Sequence, residues 1–306
     1  MAVASARKVF LGRVFLRRVG TCCVRSATFA VSLMIAEVQA QEFTYTNIDG
    51  AITITGSTPR GGLVGTLNIP SAINGLPMVS IGVQAFITNG GLTSLIIPSS
   101  VTNIGAEAFL QCGFVTNVTM AEGLMTIEDG AFSYSFSLPN LTIPNSVTSI
   151  GAFAFFNGAH LTSVVIGSGV TNIGDAAFNL CYTLTNVYFK GDAPVVGSAS
   201  FVTSATTTVY YLPGTKGWGA TLGGAPTKLW NPQGLTNDAG FGVQQNRFGF
   251  NIAGTSGIPL VVEACTNLAA PLWVPLQGFT LTNGSVYFSD PQWTNFSDRF
   301  YRIRSP

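Results

Sequence analysis

The element Ile-Gly-x-x-Ala-Phe recurs with starts at Ile81, Ile104, Ile127, Ile150 and Ile173, and in degraded form at Val196, each start 23 residues after the last with no slip. A fixed period of this length permits few folds. Each repeat is too short to enclose a core alone, so successive copies must stack as coils and bury their apolar sides against one another. The chain is therefore expected to be a solenoid over most of its length.

Within each copy a second apolar pattern appears, at Leu92, Leu95, Ile97; Val115, Val118, Met120; Leu138, Leu141, Ile143; Leu161, Val164, Ile166; and Leu184, Val187, Phe189. This spacing puts three side chains on the inner face of an extended segment. Pairs such as Val101/Ile104 and Val147/Ile150 mark a second, shorter strand. Phe86, Phe109, Phe132, Phe155 and Phe178 then form a column expected to stack inside the coils. Pro98, Pro144 and the Ile-Gly glycines are expected to set the corners. Few helix formers are present, so the fold class is mostly β: a solenoid followed by a small β-sandwich-like domain.

Charge is scarce. Only 9% of the 306 residues are charged, against about 25% in ordinary soluble proteins, so Thr, Ser, Asn and Gly must build the surface. Arg7, Lys8, Arg13, Arg17, Arg18 and Arg25 hold six of the 14 basic side chains. Beyond Ala40 the net charge is about −4, which leaves no basic footprint for nucleic acid. Residues 1–40 have the pattern of an export signal: a basic start, the apolar run Ala27 to Ala36, and Val38-Gln39-Ala40 before the expected cut. The apolar run is too short to span a bilayer, so no transmembrane segment is expected after cleavage. The expected location is secreted or cell surface.

Residues 41–79, with an Asp49-Gly50 hairpin turn, are expected to cap the open end of the first coil. The solenoid and its closing segment take 80–232, Asn231-Pro-Gln-Gly234 serves as linker, and 235–306 form the second domain. There, strands are expected at Phe248 to Ala253, Leu260 to Ala264, Trp273 to Leu276, Val286 to Ser289 and Phe300 to Ile303. Trp273, Tyr287, Trp293 and Tyr301 could stack on sugar rings or supply its core; the core is favoured.

The copies L-T-S-L-I-I-P-S-S-V-T-N-I-G-A-E-A-F and L-T-S-V-V-I-G-S-G-V-T-N-I-G-D-A-A-F resemble the BspA-type leucine-rich repeat, across about residues 65 to 230. Val209 to Trp218 and Leu229 to Pro232 resemble the closing segment of such arrays. Thr266-Asn-Leu268, Phe288-Ser-Asp-Pro291 and Arg299-Phe-Tyr-Arg302 resemble a C-terminal module of exported bacterial proteins. The resemblance implies an extracellular adhesion or recognition protein with no shared catalytic residues.

Chemistry finds little support in the residues. His160 is the only histidine and no G-x-S-x-G elbow accompanies it. Cys112 and Cys181 share a repeat column three coils apart, roughly 14 Å at ~4.8 Å per strand, too far for a disulfide. Small size at a tight corner explains that column. Asp129 and Asp175, with Glu107 and Glu128 in nearby columns, offer carboxylates about 10 Å apart by strand spacing. They could serve a carbohydrate-active site or be a solvated edge; the latter is favoured. No cofactor or metal is expected, and no enzyme.

The binding expectation rests on the outward positions of the long strands. Ser94, Asn117, Asn140, Ser163 and Asn186 form one column; Ile96, Thr119, Thr142, Val165 and Tyr188 form the next. The candidate ligand contacts are Ser94, Asn117, Thr119, Asn140, Thr142, Ser163, Asn186 and Tyr188, with Tyr188 favoured, for an extracellular protein or polysaccharide. A spacer ectodomain attached through its C-terminal module is the alternative.

Overall fold

The computed structural model describes residues 42–58, 62–202, 207–257 and 259–304. The export signal expected at 1–40 lies outside the described residues. Strands Glu42–Ile48 and Ala51–Thr58 form the expected hairpin, with Asp49 and Gly50 both left-handed (φ 52° and 81°), as a two-residue turn of the right twist requires. The second hairpin strand runs parallel to Leu76–Ile81 and so opens one sheet of the solenoid.

That sheet carries the short strands Asn103–Ile104, Thr126–Ile127, Ser149–Ile150, Asn172–Ile173 and Val195–Val196, all parallel and each 23 residues from its neighbour. The long strands form the other wall. Val64–Asn68, Gly91–Ile97 and Asn117–Met120 make one ladder; Asn140–Thr142, Ser163–Ile166, Asn186–Phe189 and Thr208–Tyr211 run parallel in a second. The break falls where Pro139 occupies the column in which Thr116, Thr162 and Thr185 donate their N–H to the previous coil. A proline has no N–H to give.

The third wall is the Phe turn. Phe86, Phe109, Phe132, Phe155, Phe178 and Phe201 stack at 5.1–5.3 Å between centroids, all buried. Phe43 of the hairpin closes one end of the column edge-on at 6.4 Å, and Phe189 meets Phe201 edge-on at 6.2 Å. Two columns of left-handed residues hold this wall: Gln84, Glu107, Gly130, Phe153, Ala176, Ala199, and Thr88, Gln111, Tyr134, Asn157, Leu180. The Ile-Gly glycines play a different part from the one expected. Gly174 is not left-handed; a Cβ there would fall on the backbone of Gly151 and Ala152, so it is needed for close approach between coils.

Low charge is compensated by side-chain ladders along the stack. Thr116, Thr162 and Thr185 direct their hydroxyls to carbonyls one coil back at 2.9–3.2 Å, as do Thr102, Thr148 and Thr171 at 3.2 Å. Neutral groups thus satisfy one another at each step, and charge is not needed.

The C-terminal domain packs two antiparallel sheets. Arg247–Ala253 carries Gln233–Leu235 and Gly242–Gln244 on one edge and Ser285–Asp290 on the other. Pro259–Cys265 lies between Val274–Thr280 and Phe300–Arg304. All five expected strands are present, and the segment expected as linker supplies a strand of its own at Gln233–Leu235. The core is Phe250, Ile252, Leu260, Val262, Leu281 and Phe288. Of the four aromatics expected there, Tyr287 is exposed, Trp273 and Trp293 are half-buried, and Tyr301 packs at the edge, stacked on Phe248 at 5.1 Å. Phenylalanine and aliphatic chains fill the middle because they bring no polar tip that needs a partner.

Candidate recognition face and junction cleft

Outward positions of a long strand alternate with buried ones, so the register of the parallel ladder fixes which side chains line up. Ser94 pairs with Asn117, and Ile96 with Thr119; Asn140 pairs with Ser163, which pairs with Asn186, and Thr142 pairs with Val165, which pairs with Tyr188. The two expected columns are therefore real. Asn117, Thr119, Asn140 and Thr142 are exposed; Ser94, Ser163 and Asn186 are half-buried. Asn117 donates to the Ser94 hydroxyl at 3.2 Å. This part of the face is flat and uncharged.

Tyr188 departs from expectation. Its residue is only 5% exposed, because the C-terminal domain sits on the last coils of the strand face. Tyr188 and Tyr210 stack at 5.2 Å and join one apolar cluster with Trp230, Phe250, Ile252 and Leu260. Three hydrogen bonds fix the contact: Tyr210 hydroxyl to Gly257 carbonyl at 3.0 Å, Trp230 Nε1–H to Pro259 carbonyl at 3.2 Å, and Thr255 hydroxyl to Leu229 carbonyl at 2.7 Å. Tyr188 is thus no open-face contact. Its hydroxyl is buried without a partner, and burial, with the charge of Tyr210 adding to it, drives its pKa well above the ordinary tyrosine value.

Beside this contact the strand face and the last strand of the sandwich enclose a cleft of about 690 Å³. Thr142, Val165, Tyr188, Lys190, Leu212 and Arg304 are among the residues that line it. Sequence reasoning did not find this cleft. A signal was present in the second column, which changes from Thr to Val to Tyr as it nears the sandwich.

Four of the acidic residues bond across neighbouring coils. Asp129 Oδ1 accepts the Ala152 N–H at 2.7 Å, and Asp175 Oδ1 accepts the Ser198 N–H at 2.6 Å and its hydroxyl at 2.8 Å. Glu128 accepts from Asn103 and the Ala106 N–H, both at 2.9 Å. Glu122 accepts N–H groups of Asn145 and Ser146 at 3.1 and 3.0 Å, and these bonds hold its carboxyl below the usual range. Each carboxylate ties its coil to an adjacent one.

His160 is exposed, its N–H bonded to the Phe136 carbonyl at 3.0 Å. Cys112 and Cys181 are buried free thiols set against the Phe86 and Phe155 carbonyls, and burial pushes them up to about 11 and about 12. Thiols so protonated are poor nucleophiles. Among the described residues no three His, Cys, Asp or Glu side chains gather as a metal site would need.

With the geometry in place, residues 79–208 match the model of the BspA type leucine rich repeat region in six copies. The solenoid is a BspA-type leucine-rich-repeat region. No curated protein matches the chain. Among solved structures it is similar to a leucine-rich repeat protein of T. pallidum, at 27% identity over 56% of this chain and 83% of that one, with a TM-score of 0.46. It is also similar to a leucine-rich repeat protein from Bacteroides ovatus, at 21% identity, 57% and 61% coverage and a TM-score of 0.43. A leucine rich cell surface protein from Faecalibacterium prausnitzii is similar at 24% identity, 50% and 54% coverage and a TM-score of 0.33. The BspA-type repeats account for the solenoid walls and the Phe column. The match ends at residue 208, so the sandwich lies beyond it, while the cleft is lined from both sides of that boundary.

Proposed function

We propose that this is an exported, cell-surface recognition protein that binds an extended protein or polysaccharide without catalysis, through the open part of the strand face. The observation that carries the reading is the pair of uncharged columns, with Asn117, Thr119 and Asn140 exposed on the two parallel ladders of the long-strand wall and Thr142 exposed at the rim of the junction cleft. Rigid placement of hydrogen-bonding groups spares a binder the ordering cost of flexible side chains. The 23-residue BspA-type repeats and the basic and apolar leader at 1–40 support export; among the described residues no helix is long and apolar enough to cross a membrane.

The test is a double substitution, Asn117→Lys with Thr119→Lys, read on an array of glycans and extracellular-matrix proteins. Binding of the parent protein that disappears in the variant, at an unchanged melting temperature, supports the reading. Retained binding by the variant defeats it, and binding that instead vanishes on removal of residues 233–306 favours a spacer attached through the sandwich.

A further inference from the structure

The outer side of the Phe turn carries an aromatic patch that the repeat does not call for. Four rings meet in a chain across two coils: Phe136 with Tyr134 at 5.9 Å, Tyr134 with Phe156 at 5.7 Å, and Phe156 with Phe153 at 5.6 Å between centroids. Phe153 and Phe136 are 47% and 40% exposed, and Tyr134 and Phe156 are half-buried. The residues one coil to either side of each ring, Gly130 and Ala176 about Phe153 for example, are all small or polar. Two of the rings also sit where the backbone disfavours them. The turn is left-handed at Tyr134 and Phe153 (φ 61° and 55°), in columns that elsewhere hold the better-suited Asn157 and Gly130. Such strain clusters where function uses it, and a contiguous exposed apolar patch marks an interaction site.

The charge around the patch has one sign. Residues 61–189 hold five acidic side chains and no lysine or arginine. Four of the five, Glu107, Glu128, Asp129 and Asp175, follow the short strands directly, at the same corner as Phe153. Asp129 and Asp175 come from the coils on either side of Phe153: Asp129 Oδ1 accepts the Ala152 N–H at 2.7 Å, and the Phe153 N–H goes to the Asp175 carbonyl at 2.9 Å. Both aspartates are exposed, and Oδ2 of each has no hydrogen-bond partner among the described residues. We propose that this patch docks a basic protein segment through its arginine side chains. A guanidinium lies flat on an aromatic face and pairs with carboxylates, so it uses both features at once. A neutral sugar gains nothing from the excess negative charge, and a polyanion is repelled by it. The inference stands apart from the strand-face reading, because the Phe turn is a different wall; either can fail alone.

The experiment is titration of the full chain into fluorescently labelled hexa-arginine, read by anisotropy, with labelled hexalysine and hexaglutamate as controls. Hexa-arginine is expected to bind, hexalysine at least about threefold more weakly, and hexaglutamate weakest of the three. Phe153→Asn, and Asp129→Asn combined with Asp175→Asn, are each expected to weaken hexa-arginine about threefold or more. Phe153→Asn should also leave the melting temperature unchanged or raise it, because Asn suits the left-handed place better than Phe. No binding of hexa-arginine, equal binding of hexalysine, a preference for hexaglutamate, or wild-type affinity in either variant overturns the proposal. So does a loss of affinity in Phe153→Asn that comes with a lowered melting temperature, since Phe153 would then be holding the turn and not a partner.

Discussion

Tyr188 and Tyr210 sit in register on neighbouring strands, their rings 5.2 Å apart and 18° from parallel, yet only one of the two hydroxyls is satisfied. Tyr210 donates to the Gly257 carbonyl at 3.0 Å and so ties the solenoid to the sandwich; Tyr188 has no partner. Tyr210→Phe should therefore cost about 1 kcal/mol, seen as a drop of about 2–4 °C in melting temperature for a domain of this size. Tyr188→Phe should show no drop. Thermal unfolding of both variants side by side checks the pair, and the reverse ranking would mean the hydroxyls have the opposite roles.

Thr88 stands in a left-handed column, φ 59°, where Asn157 occupies the equivalent place three coils on. A β-branched side chain is a poor occupant of that region, and Asn is among the better ones. Thr88 is exposed and its hydroxyl bonds only the neighbouring Ile87 carbonyl, so little packing is lost on replacement. Thr88→Asn is expected to stabilise the protein by about 0.5–1 kcal/mol. A lower denaturation midpoint in urea at unchanged slope would contradict this account of the column.

The repeated part of the fold was legible because each inward apolar position is restated every 23 residues, and chance does not reproduce Phe86 through Phe178 in one column. Three features were not. The left-handed columns accept Gln, Glu, Phe, Tyr and Leu as well as Gly, so residue type does not mark them. The Ile-Gly column looked like turn chemistry, but Gly174 is small because the previous coil's backbone lies against it. Tyr188 looked like an exposed contact because a period shows which side of a strand faces out, and not what later segment folds back over it. The change from Thr142 to Val165 to Tyr188 was the trace of that cover. Sequence also suggested that Asp129 and Asp175 belong to a solvated edge, where both are exposed, but could not show that one oxygen of each accepts a backbone N–H of the next coil.

That commitment makes the acidic edge testable through stability. Asp175→Ala removes the acceptor for the Ser198 N–H and hydroxyl and is expected to cost about 0.5–1.5 kcal/mol. Asp175→Asn keeps an oxygen at the same place and should cost less than half of that. If the purified protein hydrolysed a glycoside and both substitutions abolished that activity without touching stability, the edge would be catalytic and the structural reading would fall.

Glu263 is buried on the central strand of its sheet between Arg302 and Arg304. Burial alone would raise its pKa, but the hydrogen bonds and charges of Arg304 and Arg302 outweigh it and hold the carboxyl below its ordinary value of 4.5. The sign of the linkage follows. A carboxyl with a depressed folded value binds protons more readily when unfolded, so its stabilisation is fully present above about pH 4.5 and is lost as pH falls through the folded value. Both arginines are nearly half exposed, at 45% and 41%, so solvent screening keeps the effect modest. The melting temperature of the wild type should fall more steeply than that of Glu263→Gln as pH drops from 5 toward about 3. Above pH 5 the variant should be the less stable of the two, because its neutral amide removes the charge that Glu263 sets against both guanidiniums. Parallel melting curves across that range would show that the three side chains are not coupled to folding.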